Sequence, residues 1–167
     1  QKIVIVAHSL GALIGTWICQ LLADRIQYFF NIEGNLTLAD GYFSSKPLGF
    51  DTAEAFANAF RKDIAEKADT AEIYHRYFSS LKVASPEGMR NWSFSSQKFI
   101  RDNQCGLEFA ALHCHKLYIW GDVDTPLETQ SFIKAHQIPN KLYSGIGHWH
   151  MIENNHELYG DIYQMLH

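Results

Sequence analysis

The stretch KIVIVAHSLG, residues 2–11, decides the architecture. Ile3, Val4, Ile5 and Val6 are β-branched and do not alternate with polar residues, which predicts a central strand of a parallel sheet, covered on both faces. Ala7, Ser9 and Gly11 follow at once as a small-x-Ser-x-Gly pattern. Leu13, Ile14, Trp17, Ile18, Leu21 and Leu22 then recur at helical spacing. A strand must therefore turn sharply into a helix at Ser9. A nucleophilic serine on such a turn needs small residues two positions away on either side, because its backbone is strained and larger side chains would clash. The plainer reading of the same serine is a helix cap.

The chain continues as a βαβ unit. Gln27–Glu33 reads as a second strand, stopped by Gly34 and Asn35. From residue 41 the pattern becomes helical. Asp51 is positioned to cap a helix with Glu54 three residues on, and Phe56, Phe60 and Ile64 share its face. Ile73, Tyr77 and Leu81 mark a second helix. Ser85-Pro86 opens a third, which carries Met89, Trp92, Phe94, Phe99 and Ile100. A third strand runs from His115 to Gly121, a helix follows Pro126, a fourth strand spans Lys141–Ser144, and a last helix holds Leu158, Ile162, Tyr163 and Leu166. The expected fold is α/β: a parallel sheet of about four strands flanked by helices, with a helical lid inserted between the second and third strands. Its segments are 1–40, 41–110 and 111–167.

Composition removes several classes of function. The 167 residues carry 14 Lys and Arg against 18 Asp and Glu, with no run of like charge, so no nucleic-acid footprint is visible. No apolar run approaches the length of a membrane span. The three cysteines fit neither a disulfide framework nor a Cys-x-x-Cys metal site, and a reducing, cytoplasmic setting is expected. The chain opens on Gln1 directly ahead of an apolar strand, which is expected of a piece of a longer protein.

Two further signals sit where open α/β sheets place their sites, at the carboxyl ends of strands. Asp124 lies in the segment Gly121-Asp122-Val123-Asp124-Thr125-Pro126, where its plainer role is a turn residue or helix cap. His148 lies in Gly145-Ile146-Gly147-His148, where flanking glycines free an imidazole to reach over the sheet. Glu33, at the end of the second strand, is the alternative acid for His148. His113 with His115, and His148 with His150, are i, i+2 pairs that face one way in extended chain, as metal ligands can. No carboxylate or thiolate stands at ligand spacing from them, and neither a metal nor a cofactor is expected.

Ser9, Asp124 and His148, in that order and each after a strand, resemble the α/β-hydrolase fold. The resemblance covers nearly the whole chain and matches its four strands to the family's fifth to eighth. It implies a serine hydrolase acting on an ester or related acyl compound through a Ser-His-Asp triad and an acyl-enzyme. Ser9 would attack, His148 would take and return the proton, and Asp124 would hold the imidazole. The N–H of Leu10 would supply one oxyanion donor, while the loop that ordinarily gives the second would precede this chain. His8, Trp92 and Trp149 are expected to line the pocket, and the aromatic lid implies a small hydrophobic acyl substrate. The family's neighbour of the strand at residues 2–6 is missing, so a homo-oligomeric mate or a preceding part of the chain is expected to cover that edge. The competing function is a catalytically silent domain that binds small ligands.

Overall fold

A computed structural model describes residues 2–69 and 71–167; Gln1 and Thr70, within the first two expected segments, lie outside the described residues. The chain divides into two compact units, one holding the residues up to Asp40 and from Phe99 onward, the other Gly41–Lys98.

The first unit contains a parallel sheet of four strands in the order β1 (Ile3–His8), β2 (Ile26–Ile32), β3 (His115–Gly121) and β4 (Asn140–Tyr143). Helices α1 (Gly11–Leu21), α5 (Gln104–Ala110), α6 (Leu127–Ala135), α7 (His150–Glu153) and α8 (Asn155–Leu166) accompany it. Side chains alternate across a strand, so β2 sends successive phenylalanines to opposite layers. Phe29 packs with Ala12, Phe109 and Tyr118, whereas Phe30 packs with Ile119, Leu158 and Ile162. Both rings are fully buried, and each contributes about 1.5–3 kcal/mol of transfer free energy.

The apolar run of β1 has a different environment from the one its composition predicts. β1 pairs with β2 alone among the described strands, and Val4 and Val6 remain 37% and 48% exposed. It is an edge strand with one uncovered face, because β-branching reports fitness for a pleated surface and not the number of neighbours.

The second unit is helical, built from α2 (Ala53–Ala68), α3 (Glu72–Val83) and most of α4 (Pro86–Ile100). Its core is Phe56, Phe60, Ile64 and Leu81. The cap of α2 is Thr52, not Asp51: the Ala55 N–H donates to Thr52 Oγ1 at 3.1 Å, since the helix begins one residue later than the aspartate requires. Ser85 does cap α4, accepting the Gly88 N–H at 2.9 Å. The boundary expected at residue 110 falls after Lys98. Ile100 and Cys105 pack on Leu13, and Phe109 packs edge-on against Phe29, so this stretch belongs to the sheet's own core. Among the described residues no helix is long and apolar enough to cross a membrane.

Candidate active site

Two neighbouring strands end in the same way. Ser9, one residue past β1, has φ 54°, and Glu33, one residue past β2, has φ 49°. Both occupy the left-handed region, which non-glycine residues seldom adopt and which is concentrated at functional sites. Each also reaches across to the next strand: the Ser9 N–H donates to the Ile32 carbonyl and the Glu33 N–H to the Ile119 carbonyl, both at 2.9 Å. The turn at Glu33 depends on Gly34, where an added Cβ would collide with the Asn31 amide and with Ala12. Beyond Ser9, the Leu10 N–H stands one residue ahead of α1 and has no hydrogen-bond partner among the described residues.

The segment carrying His148 is fixed by its main chain. Three successive N–H groups meet carboxylates: Gly147 donates to Glu153 Oε2 at 3.0 Å, His148 to Asp124 Oδ2 at 2.9 Å, and Trp149 to Glu153 Oε1 at 3.0 Å. Upstream, Asp122 accepts the Gly145 N–H and the Ser144 hydroxyl, each at 2.7 Å. At Gly121 an added Cβ would strike the Ile146 carbonyl, so only glycine lets this segment cross the end of β3.

His8 ties the same segment to the serine turn. Its Nε2 lies 2.8 Å from the His148 carbonyl, and the two rings stand 4.6 Å apart. Burial, reinforced by the charge His148 can carry, lowers the His8 pKa to about 4. The ring is therefore neutral at pH 7, and because a carbonyl only accepts, its proton is on Nε2.

The carboxylate facing the His148 imidazole is that of Glu33. Glu33 Oε2 is 3.8 Å from His148 Nδ1, and Oε1 is 3.2 Å from His150 Nε2. Oε1 also accepts the Gly121 N–H at 2.6 Å and the Thr125 hydroxyl at 3.0 Å. The 3.8 Å separation is longer than a hydrogen bond. Burial pushes the Glu33 carboxyl up, but the adjacent His148 and His150 rings and the Gly121 N–H outweigh it and hold the pKa at about 2.

The structure thus brings Ser9, Leu10, His8, Glu33, Asp124, His148 and Trp149 to the carboxyl ends of β1 to β3, with Trp149's ring 5.3 Å from that of His8. Asp124, expected to orient the imidazole, meets His148 at its main-chain nitrogen. Trp92 belongs to α4 in the helical unit, where it is half-buried. His113 and His115 are exposed beside a groove at the amino ends of β2 and β3, and no described group of three His, Cys, Asp or Glu has the geometry of a metal site. Sequence reasoning missed Thr125, His150 and Glu153 as parts of the site. The i, i+2 spacing of His148 and His150 was a usable signal that they face one partner, but it did not show that the partner is Glu33.

No protein-family model matches the chain, and no curated protein resembles it in sequence. Solved structures do. A thermophilic esterase from Thermogutta terrifontis superposes with TM-score 0.70 at 16% identity, over 99% of this chain and 64% of its own. A hydrolase from Pseudomonas aeruginosa gives TM-score 0.67 at 18% identity, over 99% and 64%. An alpha/beta hydrolase enzyme from a Medee basin deep-sea metagenome library gives 0.58 at 17%, over 96% and 63%. The chain has the α/β-hydrolase fold and spans a little under two thirds of the length of these enzymes.

Proposed function

We infer that the chain belongs to a serine hydrolase, with Ser9 as nucleophile and His148 as general base. One arrangement carries this reading: His148 has a buried carboxylate at Nδ1, and its carbonyl is held by the residue immediately before a serine in left-handed conformation. Ser9 Oγ attacks the acyl carbonyl, and His148 accepts its proton and later gives it to the leaving alcohol. Glu33 stabilises the imidazolium that forms in between. The Leu10 N–H, without a hydrogen-bond partner among the described residues, donates to the oxyanion. Asp124 and Glu153 act one step back, by clamping the main chain on which His148 rides. The fold neighbours, themselves esterases and hydrolases, support an acyl substrate, and the strand-end aromatics support an apolar one.

A fluorophosphonate probe tests the reading, because it needs an activated serine but not efficient turnover. Stoichiometric labelling that disappears in Ser9→Ala is expected. A folded chain that takes no label is instead the silent ligand-binding domain. Hydrolysis of a short-chain p-nitrophenyl ester should follow the same pattern, at a rate depressed by about 10²–10³ if Leu10 is the sole oxyanion donor.

A further inference from the structure

His150 is completely buried, and its ring does not enter the mechanism above. Its Nε2 lies 3.2 Å from Glu33 Oε1, while Nδ1 has no partner among the described residues. An unpartnered buried nitrogen is unfavourable, and an apolar side chain of the same shape would not incur that cost. The value of an imidazole here must therefore lie in Nε2. That atom joins the Gly121 N–H on Oε1, while the Thr125 hydroxyl lies between the two oxygens, 3.0 Å from Oε1 and 3.1 Å from Oε2, and Oε2 is the oxygen on the side of His148. We propose that His150, donating from Nε2, is a positioning residue that fixes the rotation of the Glu33 carboxylate and disperses its charge.

The inference rests on Glu33 being the acid of the proposed site. The ionisable groups around the pair come from every neighbouring element: His8 from β1, Asp124 from the loop after β3, and His148 and Glu153 from the segment of His150 itself. The Tyr143 ring of β4 lies tilted 5.5 Å from the His150 ring and sends its hydroxyl to Asp161 of α8. Of these, His150 alone stands on the same carboxylate oxygen as the Gly121 N–H. Removing its N–H leaves more negative charge on Oε2, which stabilises protonated His148 and raises the pH at which that ring titrates.

The experiment is an NMR titration of the His148 ring in the whole chain, with fluorophosphonate labelling followed over the same pH range. His150→Leu should raise the His148 midpoint by about half a pH unit or more and move the acid limb of labelling with it. His150→Gln, whose amide can donate from nearly the same point, should restore both. If the leucine variant does not fold, His150→Asn, whose shorter amide stops short of Oε1, must behave as the leucine variant is expected to. Coincident midpoints in all variants overturn the proposal, and so does a glutamine variant that shifts like the leucine one, since loss of charge would then be the cause. A chain in which Ser9 is never labelled but His148 still shifts defeats the hydrolase reading and leaves the His150–Glu33 relation standing.

Discussion

The ends of β2 and β3 each present a carboxylate to the same histidine, and the two are used differently. Glu33, past β2, is buried and turns its oxygens inward to two imidazoles, one hydroxyl and one amide. Asp124, past β3, accepts a main-chain N–H. Under the proposed mechanism the first arrangement acts on a proton that moves, the second on a backbone that must stay still. In the proposed reaction a charged acceptor is wanted at β2, where imidazolium would form. At β3 a neutral acceptor of the same shape serves as well. The contrast can be broken by substitutions that remove charge and keep shape.

The largest effect is expected at Glu33. Glu33→Gln can keep an acceptor for the Gly121 N–H but places either an amide N–H or an uncharged oxygen opposite His148 Nδ1, so the imidazolium loses its counter-ion and the tautomer is no longer enforced. The rate of fluorophosphonate labelling should fall by about 10³ or more, in line with the loss of other triad acids, while the protein stays folded. Retention of full labelling would transfer the acid role away from β2.

Acid stability should separate the two ends next. The Glu33 carboxyl is held at about 2 against an ordinary 4.5, so the folded state binds its proton later than the unfolded chain. Its contribution is complete above pH 4.5 and is lost as the pH falls toward 2, amounting to about 3 kcal/mol if the whole shift is expressed. His8 acts in the same sense but earlier. Lowered from 6.5 to about 4, it favours the folded state fully above pH 6.5 and less as the pH falls toward 4. Urea midpoints measured from pH 7 to pH 2.5 should therefore decline in two stages. Glu33→Gln should flatten the lower stage and His8→Gln the upper; a lower stage that survives Glu33→Gln would mean that the β2 carboxylate is not the group responsible.

Much of this was legible from residue order. The strand, serine turn and helix of residues 2–21 follow from β-branching and then a helical period, and both survive in β1 and α1 because local patterns dictate them. That β1 stands at the edge of the described sheet followed only from the family resemblance, since a strand's composition carries no count of its partners. Placing a carboxylate after each of β2 and β3 was equally within reach. Choosing between them was not. Glu33 follows β2 by one residue and Asp124 follows β3 by three, both on the same rim of a parallel sheet, and the left-handed backbone at Glu33, beside the turn held by Gly34 and Asn31, accompanies a side chain that turns inward. His150, Thr125 and Glu153 escaped because each acts on an atom contributed by a distant or unmarked part of the chain.

The smallest effect is also the most discriminating. Asp124→Asn keeps an oxygen that can accept the His148 N–H at the present 2.9 Å and discards only the charge. A main-chain donor carries no proton to be transferred and no charge that develops during reaction, so weakening its acceptor from ionic to neutral loosens the segment slightly. Labelling of Ser9 should stay within about threefold of the parent, because a neutral hydrogen bond replaces a charge-assisted one without leaving either partner empty. Asp124→Ala should cost more than Asp124→Asn, since it leaves that N–H without its acceptor. If Asp124 instead orients the imidazole during the reaction, the asparagine variant must lose about 10⁴ in rate through the wrong tautomer. Three to four orders of magnitude separate the two outcomes for a change of one atom. The pair Glu33→Gln and Asp124→Asn, measured side by side, assigns the acid to β2 or to β3 whichever way the numbers fall.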